Sequence, residues 1–147
     1  MDFGNSTKTL LTIGSVYKSN NDMMTKEDKD LLLKDLCGRL PYGVKCKCEG
    51  TYGIENEFIA PLLDISLYRC IIGGKCKDIL DVKPCLFPLS SMTEEQRVEY
   101  SNTFDLLYKF TFYPTSESFD WLNANHFDYR GLIEKGLALD ATNLNIY

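Results

Sequence analysis

The chain has 147 residues, 44% of them apolar and 25% charged, with 17 Phe and Tyr residues and Trp121. That is the composition of one ordinary globular domain, able to bury roughly 70% of its unfolded surface, and it excludes fibrous and disordered classes. The formal net charge is −5, and all of the excess lies after residue 90. Residues 1–90 carry twelve acidic and twelve basic side chains, and residues 91–147 carry nine and four. An acidic surface repels a phosphate backbone, so no nucleic-acid partner is expected.

No basic stretch followed by an apolar run and a small-residue cleavage site opens the sequence, and no run approaches the ~18 apolar residues of a membrane span. The expectation is a protein in the cytoplasm of whatever cell makes it, with no membrane partner. In a reducing compartment the six cysteines are expected as free thiols.

Residues 1–24 are rich in Ser, Asn and Thr around one apolar patch, Leu10–Ile13, and read as a polar extension preceding a single domain at 25–147. Thr25 is a predicted N-cap, with Asp28 three residues on. Leu32, Leu33, Leu36, Cys37 and Leu40 then repeat at helical spacing until Pro41 and Gly43 stop the helix. Val44, Cys46 and Cys48 alternate with Lys45, Lys47 and Glu49, the period of a half-buried strand. Glu49-Gly50 and Tyr52-Gly53 supply turn chemistry.

Residues 58–67 and 69–72 read as strands, Pro61 hinting at an edge or bulge in the first. Gly73-Gly74 predicts a tight hairpin turn, with a short return over 76–82. Pro84 and Pro88 are expected to take the chain out of the sheet. Thr93 to Gln96 forms a capping box, predicting a helix to about Leu107, and residues 109–113 alternate as a strand ended by Pro114. A third helix is predicted over 117–123. Asp128 as N-cap and Gly136 as left-handed stop predict a fourth over 129–135, so that two short helices join at residues 126–128. The fold class is therefore α+β: a small curled antiparallel sheet, with an SH3-like barrel as its closed form, packed with three to four short helices.

The stretches DLLLKDLCGRLPYGVK, DVKPCLFPLSSMTEEQ and FDWLNANHFDYRGLIEKGLAL resemble a family of small uncharacterised proteins encoded by phages and prophages of gut anaerobes. The resemblance covers roughly residues 26–140. It implies an origin on a mobile element and a conserved fold, and it brings no activity and no functional residues. The Cys46/Cys48 pair and residues 1–22 depart from the family pattern.

Cys46-x-Cys48 with Cys70-x5-Cys76 has thiolates for zinc but not the spacing of a finger or ribbon, and Cys46 and Cys48 share a strand face with Val44. Buried apolar thiols are the expected reading, and no cofactor or metal is expected. His126 is the only histidine, so a hydrolase would centre on it, with Asp128 or Asp120 orienting the ring. No nucleophile elbow accompanies it, and no catalytic residues are assigned. Gly73-Gly74-Lys75 lacks the spacing of a phosphate loop.

The densest cluster is aromatic. Phe119, Trp121, Phe127 and Tyr129 are interleaved with Asn123, Asn125, His126, Asp128 and Arg130. Trp121, Asn125, His126, Asp128, Tyr129 and Arg130 are the candidate ligand- or partner-binding residues. The competing reading is that Phe119, Leu122, Phe127, Leu132 and Ile133 close the core, with Trp121 and Tyr129 half-exposed. The functional expectation is a non-catalytic accessory protein binding a host or phage protein. The alternative is a binder of a small nucleotide-like signal of host defence, clamped by Tyr129, Trp121 and Arg130.

Overall fold

The computed structural model describes residues 24–50, 57–107 and 111–147. The polar extension, apart from Met24, and the Tyr52-Gly53 turn lie outside the described residues.

Helix α1 (Lys26–Arg39) starts where the capping pattern placed it: the Thr25 hydroxyl accepts from the Asp28 amide at 3.1 Å. Its buried face differs from the expected stripe. Leu32, Asp35, Leu36 and Arg39 are buried, Leu33 and Leu40 are half-buried, and Cys37 is exposed. Asp35 and Arg39 can lie inside because they neutralise one another one helical turn apart, Nε to Oδ2 at 2.8 Å. Gly43, at φ +65°, turns the chain out of the short 3-10 turn after the helix.

The sheet contains β1 (Lys45–Cys48), β2 (Phe58–Ser66), β3 (Arg69–Ile72), β4 (Lys75–Asp78) and β5 (Val82–Pro88). Val44, Cys46 and Cys48 all face the core, as the alternation predicts, and Gly73 and Gly74 make the β3–β4 turn with φ of +56° and +87°. Strand β2 is interior, between β1 and β3, and its bulge lies at Leu62–Asp64, just after Pro61. The core packs the buried face of α1 against Val44, Cys46, Cys48, Leu62, Ile72 and Leu86.

The expected exit at Pro84 is corrected. Pro84 is buried inside β5, which pairs antiparallel with β1 over Val82–Pro84. Beyond it, β5 takes two short parallel partners, β8 (Phe127–Asp128) and β9 (Leu139–Asp140). Leu86 O accepts from Ala141 N while Phe87 N donates to His126 O, each at 2.8 Å. Neighbouring residues of a strand point to opposite edges, so β8 and β9 flank β5 on opposite sides. Among the described residues the strand order is β4-β3-β2-β1-β5-β8, with β9 on β5. The end strands do not pair, so the sheet stays open and is not an SH3-like barrel.

Two helix predictions are also corrected. Helix α2 (Glu94–Ser101) has both arms of its Thr93–Gln96 capping box, but it stops at Asn102 rather than Leu107. The chain then forms a separate two-stranded hairpin, β6 (Asp105–Leu107) with β7 (Thr111–Tyr113), before α3 (Ser116–Ala124). The helix expected over 129–135 is replaced by a single turn. Gly131 sits at φ +73°, outside helical space, so the turn begins only after it. The Gly136 stop holds: Gly136 N donates to Ile133 O and Leu137 N to Leu132 O, the paired bonds of a left-handed helix end. No helix among the described residues is long and apolar enough to cross a membrane.

Candidate interaction surface

The residues singled out in the aromatic motif are brought close together, and Asn125, Asp128, Tyr129 and Arg130 spend polar atoms on partners within the protein. Asp128 is buried, and its two carboxylate oxygens accept from Leu132 N (3.0 Å) and Ile133 N (2.9 Å). It caps the turn and does not orient His126. Asn125 donates to Trp121 O. Trp121 is stacked between Tyr100 of α2 (5.5 Å) and Phe127 of β8 (5.7 Å, 7° between planes), joining three elements.

Arg130 Nε lies 3.2 Å from Asp35 Oδ1, so Asp35 is flanked by two guanidiniums. Arg39 also donates to Phe127 O at 2.7 Å. The ring of Tyr129 is bracketed by Arg39 (5.4 Å) and Arg130 (4.8 Å), and its hydroxyl donates to Asn123 and accepts from Arg130. Sequence reasoning missed Asp35 and Arg39. Their i,i+4 spacing was the available signal, hidden by the rule that charges face water.

His126 adopts φ +62° and stacks on Tyr147 at 3.9 Å. Burial, with Arg39 and Lys45 nearby, lowers its pKa from 6.5 to about 4. The Tyr147 hydroxyl fills the end of the β1–β5 ladder, accepting from Lys45 N (2.8 Å) and donating to Cys85 O (2.9 Å). His126 is therefore neutral at pH 7, its buried Nδ1 has no hydrogen-bond partner among the described residues, and Asp120 lies exposed on α3.

Cys46, Cys48, Cys70 and Cys85 are buried, while Cys37 and Cys76 are exposed. Burial pushes the Cys48 and Cys70 thiols up to about 11 and raises Cys46 and Cys85 as well. Among the described residues, no group of three or more His, Cys, Asp or Glu is placed to hold a metal. A cleft of about 370 Å³ opens beside Asp128 and Tyr129, but Trp121, His126 and Arg130 do not line it.

The hairpin has the opposite character. Leu106 and Phe112 are cross-strand partners, so their side chains share one face. They are 56% and 63% exposed. Its base is held from below. Thr103 and Thr115 flank the two strands, and the Thr115 hydroxyl donates to Thr103 O at 2.9 Å. Ser118, fully buried, accepts from the Thr103 hydroxyl (2.7 Å) and from Thr115 N (2.9 Å). Phe119 on the adjoining α3 is exposed rather than part of the core, and its ring lies 5.4 Å from Tyr129. The alternation over 109–113 signalled β7, whereas the helix pattern before it concealed β6. Compared with known proteins, the chain matches no family model, no curated protein and no solved structure.

Proposed function

We propose that the protein is a non-catalytic accessory protein of a phage or other mobile element, acting in the host cytoplasm by binding a host or phage protein through the β6–β7 hairpin. The carrying observation is the Leu106–Phe112 pair, two large apolar side chains held on one exposed face by a clamped base. Such a face gains free energy when covered, and a fixed base lowers the ordering cost of doing so. The resemblance to phage and prophage proteins supports the cellular setting. The nucleotide-binding alternative needs Tyr129 and Arg130 free to clamp a ligand, and here they engage each other and Asp35.

The test is affinity capture from host cells with and without the phage, comparing wild type with the double variant Leu106→Thr/Phe112→Thr. These substitutions keep β propensity. The expected result is a protein retained by wild type and lost by the variant, at unchanged melting temperature. Retention of the same proteins by both would overturn the proposal.

A further inference from the structure

We infer that the hairpin takes an extended segment of its partner in which apolar residues alternate with Lys or Arg, added as a third strand. The inference rests on the protein-binding reading above and names the chemistry of the partner. Three observations lead to it.

Among the described residues, β6 and β7 pair only with each other, so each keeps one open edge of backbone donors and acceptors. A two-stranded ribbon is marginally stable alone and gains from a further strand, the geometry by which extended peptides join sheet edges. The two faces of the hairpin differ in chemistry. By register, the Leu106–Phe112 pair lies on one, and the pairs Asp105–Tyr113 and Leu107–Thr111 fall on the other. An added strand places alternate side chains on these faces, which selects apolar residues beside Leu106 and Phe112 and leaves a place for a cation beside Asp105.

The surroundings have a single dominant sign. Glu94, Glu95 and Glu99 on α2, Asp105 on β6, and Glu117 and Asp120 on α3 are all exposed, and among the described residues none of them forms an ion pair. Between residues 94 and 120 the sequence sets these six acids against two cations, Arg97 and Lys109. A basic segment is attracted to this net negative field, while a second copy, which carries the same excess of acids, is repelled by it.

The test uses the full chain and three synthetic peptides of equal length. One alternates Leu and Lys, one has the same composition in two blocks, and one alternates Leu and Glu. Fluorescence anisotropy is expected to show the alternating Leu–Lys peptide binding roughly tenfold or more tighter than either control, with affinity falling as salt rises. Leu106→Thr/Phe112→Thr should abolish that preference, and Asp105→Lys should weaken binding while leaving the Leu106 face intact. Amide exchange should slow along one edge of the hairpin when peptide binds.

Equal binding of the two Leu–Lys peptides, or binding indifferent to Leu106 and Phe112, would overturn the inference. So would self-association in sedimentation that the double variant removes, since a second copy would then be the occupant. If a cellular partner needs Leu106 and Phe112 yet is displaced only by the Leu–Glu peptide, the partner chemistry is wrong and the protein-binding reading stands. If neither peptide nor cellular partner depends on those residues, both fail.

Discussion

At the scale of single residues, the buried charges help to hold the aromatic motif in place. Arg39 and Asp35 are fully buried, and Arg130 reaches the same carboxylate. Removing the carboxylate leaves a guanidinium inside without its counter-ion, so Asp35→Ala is expected to cost about 3–5 kcal/mol in urea unfolding. Asp35→Leu/Arg39→Met should cost less than the sum of its single changes, because the fully buried charge is gone and only the partly exposed Arg130 loses its carboxylate. Additive losses would mean that the pair is not coupled.

His126 gives a second residue-level outcome. Its folded pKa of about 4 lies below the ordinary 6.5, so between those pH values the unfolded chain binds a proton that the folded chain refuses. Stability therefore rises with pH across that window and is lost on acidification through it. His126→Gln should flatten the slope between pH 6.5 and 4 relative to wild type. An identical slope in the variant would place the titration elsewhere.

At the scale of elements, what was legible in the sequence was local. Thr25 and Thr93 cap their helices by accepting from the backbone amides three residues on, and Cys46 and Cys48 alternate into the core. The elements that escaped depend on distant partners. Strand β5 tolerates Pro84 because its pairing changes there, from β1 to β8 and β9 more than forty residues on. The turn after Gly131 is too short to propagate as a helix, yet it carries the expected cap and stop chemistry.

The clamp beneath the hairpin is another distant arrangement, and it has a measurable consequence. Ser118→Ala removes a buried hydroxyl that accepts from the Thr115 amide and the Thr103 hydroxyl. It should cost about 1–3 kcal/mol and speed amide exchange in Asp105–Leu107 and Thr111–Tyr113 more than in β1 or β5. A uniform change across the protein would show that the base does not hold the hairpin separately.

For the whole molecule, the aromatic motif and the hairpin differ in what they leave uncovered. The motif from Phe119 to Arg130 ties α1, α2 and α3 to the sheet through stacked rings and paired charges. Its density in the sequence made it the candidate site, but density alone does not distinguish groups that meet one another from groups that await a partner. The hairpin, with fewer distinctive residues, leaves its apolar pair uncovered in an acidic setting.

The proposed binding role of the hairpin is tested most directly by placing a photo-crosslinking amino acid at one position at a time, Phe112 or Arg130, in host cells that make the protein. A covalent adduct to a partner protein is expected from position 112 and none from position 130. An adduct from 130 with none from 112 would return the function to the aromatic motif and contradict the account.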